Sequence, residues 1–160
     1  MTAHDYNNAF DDLSLRGYRF ALRSCGDKEL SRDIVQEALT SLWEHHESVD
    51  REKSRSYLFG TIYRRLADHW RKLQPVVQEA REEAIAAPQE DFDAQEAVGL
   101  ALATLPEIQR SLLQLKDVEG YSYKEIANIL AISDQQVCVY LYRARVALKK
   151  KLIAYGYNDR

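Results

Sequence analysis

Residues 119–152 read EGYSYKEIANILAISDQQVCVYLYRARVALKKKL, and this stretch decides the fold of the C-terminal part of the chain. Ser122, with Glu125 three residues later, marks the start of a helix. Ser133 marks the start of a second helix, after a turn at Ala131, where a small residue is wanted. The pattern predicts a helix-turn-helix, in which a tight turn of about three residues joins two packed helices.

Apolar residues repeat along one side of both predicted helices. They are Ile126, Ala127 and Leu130 in the first helix, and Val137, Leu141, Ala144 and Leu148 in the second. A rotation of about 100° per residue then defines the opposite side of the second helix. That outer side holds Gln135, Val139, Tyr142, Arg143 and Val146, flanked by Gln136. A chance pair of amphipathic helices is the alternative, but the cap, the turn residue and the inner stripe agree with a helix-turn-helix.

The composition predicts that the rest of the chain is also helical. Only six Gly and three Pro occur in 160 residues, and β-branched runs are few. Asp27 is a candidate N-cap for the second helix, and Pro106 is expected in the first turn of the fifth. The five helices expected before the helix-turn-helix are 5–25, 27–46, about 55–72, 95–103 and 106–118. We therefore predict an all-α fold.

An acidic segment divides the chain into two small helical domains. Residues 75–98 contain seven acids and one base, a charge of −6, whereas the whole chain carries −3. The rest of the chain therefore carries a net charge of +3. Many of its basic residues lie in two stretches, RSYLFGTIYRRLADHWRK and RARVALKKKL. We predict a first domain at 1–74, an acidic flexible linker at 75–94 and a second domain at 95–160.

Several classes of protein are not indicated. Cys25 and Cys138 belong to no CxxC or Cys/His cluster, so we expect neither a disulfide nor a zinc site. His45 and His46 point to different sides of a helix and lack a third ligand at useful spacing, so we expect no metal, no cofactor and no enzyme. No apolar run reaches the ~20 residues of a membrane span, and no signal pattern is seen. A cytoplasmic protein without a membrane partner is expected.

Two separate motifs resemble one protein family. The stretch LPEIQRSLLQLKDVEGYSYKEIANILAIS, followed by VCVYLYRARVALKKKL, strongly resembles the fourth conserved region of bacterial sigma factors. Upstream, RDIVQEALTSLWEH is similar to the second conserved region, and SYLFGTIYRRLADHWRK resembles its promoter-melting helix. With these two regions alone, the chain resembles an extracytoplasmic-function sigma factor over roughly residues 10–152. The resemblance implies an alternative sigma factor that binds core RNA polymerase and directs promoter recognition, melting and initiation.

The resemblance also implies where polymerase binds. In this family the second region binds the clamp helices of the polymerase β′ subunit, and the fourth region binds the β-flap. Asp33, Gln36 and Glu37 fall on the clamp-binding positions. Their i, i+3, i+4 spacing does place them on one side of a helix.

The promoter-melting helix is expected to hold the unwound −10 element as single-stranded DNA. Its alternating aromatic and basic residues suit stacking on bases and contact with phosphates. The residues assigned to this role are Arg55, Tyr57, Tyr63, Arg64, His69, Arg71 and Lys72. We expect Leu58, Phe59, Ile62 and Leu66 to point inward, and Tyr57, Tyr63, Arg64 and Arg71 to point outward. The chain departs from the family at Tyr63-Arg64, where Arg-Asn is frequent.

The helix-turn-helix is expected to meet the duplex −35 element. The residues assigned to it are Lys124, Ser133, Gln135, Gln136, Val139, Tyr142 and Arg143. Cys138 and Val139 replace a frequent basic and small polar pair, so this chain loses hydrogen-bonding capacity there. Either the −35 element is unusual, or its readout is weak and Val139, Tyr142 and Val146 contact a protein. That protein is an anti-sigma factor or a DNA-bound recruiter.

A different class of protein also explains part of the sequence. A stand-alone regulator that binds duplex DNA without joining polymerase accounts for the helix-turn-helix. It gives no role to the helix that contains RDIVQEALTSLWEH or to the aromatic and basic helix that follows it.

Overall fold

The computed structural model describes residues 1–73 and 94–156, and these contain helices and turns without a β-strand. The predicted linker at 75–94 lies outside the described residues, apart from Ala94. The helices are α1 (Ala3–Cys25), α2 (Lys28–Glu44), α3 (Ser54–Leu73), α4 (Ala94–Ala103), α5 (Glu107–Leu113), α6 (Tyr123–Leu130) and α7 (Asp134–Ala154). Short 3-10 turns occupy His46–Ser48 and Arg51–Lys53, and a π-helical turn occupies Gln114–Val118. The all-α prediction is confirmed.

The chain divides into two compact units, the first built on residues 1–71 and the second on most of the described residues from 94 onward. In the first unit, Asp27 caps α2 as predicted, because its side chain accepts a hydrogen bond from the Leu30 N–H at 3.1 Å. Gly17 allows α1 to approach α3 closely, since a Cβ there would lie 3.1 Å from Ile62 and Leu58. The rings of Phe20 and Phe59 pack in the core with centroids 5.0 Å apart.

The predicted helix-turn-helix is formed by α6 and α7, and most of it belongs to the second unit. Ile126 and Leu141 are buried on its inner side, as expected. Ala131 occupies the turn with φ 55°, a left-handed conformation that favours residues without a bulky β-carbon substituent. Gly120, with φ 76°, ends the preceding segment.

Some helix boundaries differ from the predictions for physical reasons. The helix expected over 106–118 is α5 followed by a π-helical turn, and Pro106 lies before it at the N-cap with ψ 147°. Helix α1 begins two residues before the predicted Asp5, because Thr2 and Asp5 form a capping box. Each of these features depends on local backbone geometry that helical periodicity does not encode.

The part of the chain that the structure describes contains neither a candidate membrane-spanning helix nor a candidate metal site. No described helix is long and apolar enough to cross a membrane. Nor do residues 1–73 and 94–156 hold a cluster of three or more side chains suited to a metal ion.

Candidate protein-binding and nucleic-acid surfaces

An open groove lies between α2 and α3, and it contains all three residues predicted to bind the polymerase clamp. Asp33, Gln36 and Glu37 are exposed along α2. The groove has a volume of about 610 Å³, and its lining is completed by Thr40, Ser41, Glu44, His45 and Arg65. Three carboxylates and one guanidinium therefore line the groove, which suits a partner that presents basic side chains.

Two side chains of α3 cross to α2 beside this groove. Arg65 Nε lies 3.5 Å from Glu37 Oε2, and the hydroxyls of Tyr57 and Ser41 are 3.0 Å apart. Advancing along α3 therefore means going backward along α2, so the helices run antiparallel. These contacts join the helix predicted to bind polymerase to the helix predicted to bind DNA.

The sequence predicted part of this groove and missed the rest. Thr40 and Glu44 continue the spacing of Asp33, Gln36 and Glu37 along α2, so periodicity would have found them. Arg65 comes from α3, and only the antiparallel packing of the two helices brings its side chain to the groove.

The inner side of α3 is as predicted. Leu58, Phe59, Ile62 and Leu66 are fully buried. Seven residues are close to two helical turns, so Tyr57, Arg64 and Arg71 share one line on the outer side. Arg64 and Arg71 are exposed, whereas Tyr57 is half-buried and uses its hydroxyl on Ser41. Arg71 also pairs with Asp68 on the same helix.

The remaining residues predicted to bind the −10 element do not share that line. Arg55 lies seven residues before buried Ile62, and His69 lies seven residues after it, so both sit on the inner side of α3. Arg55 reaches α1, where its Nη2 lies 3.3 Å from Asp12 Oδ2. Tyr63 is half-buried at the flank, and Lys72 is exposed. Of the residues predicted to bind the −10 element, the structure therefore exposes Arg64, Arg71 and Lys72.

Asp12 is held between two guanidinium groups. Arg16 Nε lies 3.0 Å from Asp12 Oδ1 and hydrogen bonds to it, and Arg55 approaches the other oxygen. The Arg16 hydrogen bond, helped by the charges of Arg16 and Arg55, lowers the pKa of Asp12 below its usual 3.8. Asp12 thus balances part of the charge of Arg55, the second residue of α3.

Two residues predicted to contact the −35 element form the cap of α7. The Ser133 N–H donates to Gln136 Oε1 at 2.9 Å, and the Gln136 N–H donates to Ser133 Oγ at 3.1 Å. This reciprocal pair is a capping box, which satisfies N–H groups that lack partners within the helix. The cap uses one acceptor oxygen of each side chain, so base reading by either one rests on its donors, the Ser133 hydroxyl hydrogen and the Gln136 amide hydrogens.

The outer side of α7 is accessible, as predicted. Five of its residues are exposed: Gln135, Cys138, Val139, Tyr142 and Arg143. The side chain of Tyr142 is 72% exposed. Lys124 is exposed on α6. This side therefore presents one guanidinium, one amide, a phenol and apolar side chains.

Two family models match the chain in separate segments. The model described as Sigma-70 region 2 matches residues 10–76, and the model described as Sigma-70, region 4 matches residues 95–148. The two matches follow in the order that the sequence motifs predicted.

Characterised proteins and a solved structure are similar along nearly the whole chain. The ECF RNA polymerase sigma factor SigM of Bacillus subtilis is 29% identical over 149 residues, 89% of this chain and 91% of SigM. The ECF RNA polymerase sigma factor SigL of Mycobacterium tuberculosis is 28% identical over 92% of this chain and 88% of its own. The sigma factor RpoE of Bartonella quintana, solved with the anti-sigma factor NepR, has a similar fold. Its TM-score is 0.73 at 20% identity, over 93% of this chain and 97% of the RpoE chain.

Proposed function

This chain belongs to the extracytoplasmic-function sigma factors and is an alternative sigma factor, and we propose that it acts through the surfaces of α2, α3 and α7. The observation that carries the function is the match of regions 2 and 4, in order, within one chain. A stand-alone regulator is not favoured, since it needs no region 2. The chain acts on transcription initiation without catalysing a reaction and without a cofactor.

The groove between α2 and α3 is the proposed polymerase site. Asp33, Gln36 and Glu37 are exposed together there, and the groove is predominantly acidic. A basic helical element, as the family's binding to the β′ clamp helices implies, complements that charge. The β-flap is the proposed partner of the second unit, and the proposed domain limits remain 1–74, 75–94 and 95–160.

The outer side of α3 is the proposed surface for unwound −10 DNA. Arg64 and Arg71 are placed to contact phosphates, and Tyr63 lies at their flank for stacking. Tyr57 contributes through its ring edge, because its hydroxyl contacts Ser41. Arg55, His69 and Lys72 act at the margins of this surface.

The outer side of α7 is the proposed −35 surface, with weak or atypical readout. Arg143 donates to a guanine or a phosphate, and Gln135 is the amide suited to adenine. Ser133 and Gln136 act chiefly by fixing the start of the helix, since their side chains form the cap. Val139 and Tyr142 offer contact with thymine methyl groups, and Lys124 contacts the DNA backbone.

Regulation by another protein and a cytoplasmic location complete the proposal. The similar RpoE was solved with the anti-sigma factor NepR, which supports an anti-sigma factor as one class of regulator here. A DNA-bound recruiter is the other class. Polymerase and promoter DNA are cytoplasmic in bacteria, so the chain is proposed to act there.

Run-off transcription tests the function directly. Purified chain and core RNA polymerase are incubated with a genomic fragment library, and transcript 5′ ends are sequenced. We expect initiation at a discrete promoter set with a shared −10 element and a weak or unusual −35 element. No chain-dependent transcript, together with no co-elution with core polymerase in gel filtration, would contradict the proposal and favour the regulator.

A further inference from the structure

Two carboxylates of α1 pair with arginines that lie at the start of α3 and just before it. Asp5 Oδ1 lies 3.7 Å from Arg51 Nη1, and Asp12 Oδ2 lies 3.3 Å from Arg55 Nη2. Asp5 and Asp12 are seven residues apart, close to two helical turns, so they share one line on α1. We call these two residues the α1 acidic pair. The pair therefore accompanies the chain as it enters the helix that is proposed to bind −10 DNA.

Each carboxylate of the α1 acidic pair is held in place by its own helix. Asp5 Oδ2 accepts a hydrogen bond from the Thr2 N–H at 3.0 Å, within the cap of α1. Arg16 Nε donates to both oxygens of Asp12, at 3.0 and 3.2 Å. The Thr2 backbone hydrogen bond lowers the pKa of Asp5 below 3.8, and the Arg16 hydrogen bond does the same for Asp12. Both groups are therefore ionised near neutral pH, with an oxygen beside an arginine of the following segment.

The two arginines remain open to solvent while they are paired. The side chain of Arg51 is 75% exposed and that of Arg55 is 40% exposed. Ion pairs at such exposed positions add little to the stability of a fold. A carboxylate this close to a guanidinium does, however, repel a phosphate that approaches the same group. Because salt screens charges that are more than about 10 Å apart, the repulsion acts only on phosphates beside the pair.

We propose that the α1 acidic pair weakens the contact of Arg51 and Arg55 with the phosphates of unwound DNA, and so limits binding that is independent of sequence. The inference rests on the proposed −10 surface and places Arg51 at its margin. Phosphate contacts carry no sequence information, whereas base contacts do. Since the carboxylates already balance part of the arginine charge, phosphates contribute less to the affinity. A strand must then gain more of its affinity from its bases.

Single-strand binding by the holoenzyme tests the proposal. The full-length chain is assembled with core RNA polymerase, and core polymerase alone gives the background. Fluorescence anisotropy follows two labelled strands at several salt concentrations, one with the −10 element recovered by run-off transcription and one with that element scrambled.

Asp12→Asn removes the charge and retains an oxygen that accepts hydrogen bonds. We expect this variant to bind both strands about three- to fivefold more tightly than the parent chain does. The two factors should be equal, because phosphates are the same in both strands. The dependence of log affinity on log salt concentration should become steeper by about 0.7, the value for one additional phosphate contact on a single strand.

Further variants separate the charge of the pair from its other effects. Asp11→Asn makes the same change of net charge at an exposed position of α1 outside the pair, so this matched control is expected to bind as the parent does. Asp12→Glu keeps the charge and is expected to bind within about twofold of the parent. Asp5→Asn should also tighten binding, but less than Asp12→Asn, because Asp5 lies farther from its arginine. Circular dichroism verifies that each variant is helical.

Four outcomes would overturn the proposal and leave the proposed −10 surface intact. They are unchanged or weaker strand binding by Asp12→Asn, equal tightening by Asp11→Asn, tightening of the −10 strand alone, and an unchanged salt dependence. Weaker binding by Asp12→Asn would show that Asp12 serves only to anchor Arg55. Absence of −10 strand binding by the parent holoenzyme would instead overturn the proposed −10 surface, and this inference with it.

Discussion

Arg143 is the one residue of the outer face of α7 with a guanidinium free to face away from the helix-turn-helix core. It is exposed and lies between Tyr142 and the buried Ala144. Arginine donates two parallel hydrogen bonds to guanine, whereas lysine contacts DNA as a point charge. This difference separates base reading from phosphate contact.

Arg143→Ala is expected to weaken binding to the promoter duplex recovered by run-off transcription by about 1–3 kcal/mol. Arg143→Lys distinguishes the two roles, since it retains phosphate contact and loses the paired hydrogen bonds. Fluorescence anisotropy on duplexes with the intact and the scrambled −35 element measures both. If Arg143→Ala binds the two duplexes with the parent's preference, Arg143 does not read bases.

Asp12 gives a stability effect that depends on pH. Arg16 lowers its folded-state pKa below 3.8, so the folded chain holds the ionised form more tightly than the unfolded chain does. The contribution is present above pH 3.8 and is lost as pH falls through the lower, folded-state pKa. Because Asp12 is 53% exposed, we expect less than about 1 kcal/mol.

Asp12→Asn is therefore expected to unfold more easily than the parent chain near neutral pH, with a difference that shrinks on acidification. Urea unfolding at pH values stepped from about 7 downward measures this difference. Asp11→Asn, one residue earlier and exposed, is the control. A difference between Asp12→Asn and the parent that stays constant with pH would contradict the assignment.

At the scale of the element, α7 was predictable because several local signals agree. Ser133 caps the helix, and Val137 and Leu141 face inward. Each of these features is determined by residues only a few positions apart in the sequence. The π-helical turn after α5 was not predictable, because periodicity does not encode a change in hydrogen-bond register. Among the predicted site residues, Asp33, Gln36 and Glu37 do lie together.

Which aromatic and basic residues of α3 share its outer side was harder to predict. Composition selected the aromatic and basic residues, but the buried line through Ile62 decides which of them face outward. Arg55 and His69 share that buried line, so their inclusion followed residue type and not helical position. Arg65 at the α2 groove depends on contact between two helices, which no local pattern contains.

The cap of α7 gives a prediction for the element itself. Ser133→Ala removes the acceptor for the Gln136 N–H, so the free energy of unfolding is expected to fall by about 1 kcal/mol. Ser133→Asp retains an acceptor, so its free energy of unfolding is expected to differ from that of the parent by about a few tenths of a kcal/mol. Thermal unfolding measures both; equal stability of the Ala and Asp variants would show that the cap is not stabilising.

The turn before α7 gives another prediction. Ala131 has φ 55°, a conformation that costs about 1–2 kcal/mol for a residue with a β-carbon. Ala131→Gly relieves that cost but adds freedom to the unfolded chain, so a net gain of about 0.5 kcal/mol is expected. Ala131→Val is expected to lose about 1 kcal/mol or more, since a β-branched residue fits this conformation poorly. Urea unfolding measures the stability of the parent chain and of both variants. Equal stability of Ala131→Val and the parent would contradict a left-handed conformation at this turn.

At the scale of the whole molecule, the predicted polymerase and −35 surfaces belong to different units. The groove with Asp33 and Glu37 belongs to the first, and α7 belongs to the second. A substitution in the groove should therefore affect polymerase and leave duplex binding unchanged. If the two surfaces act independently, the effects of substitutions in each are expected to be additive.

Glu37→Lys reverses one of three carboxylates in the groove and places a base beside Arg65. Because a basic partner is expected there, its affinity for core polymerase should fall by at least about tenfold. The residue is exposed, so stability should change by no more than about 0.5 kcal/mol. Asp11→Lys, exposed on α1 outside the groove, is the matched control for charge. Co-elution with core polymerase and anisotropy on the promoter duplex are measured for both variants. Equal loss of polymerase binding in both variants would show a response to net charge alone, and loss of duplex binding in Glu37→Lys would show that the two surfaces are not independent.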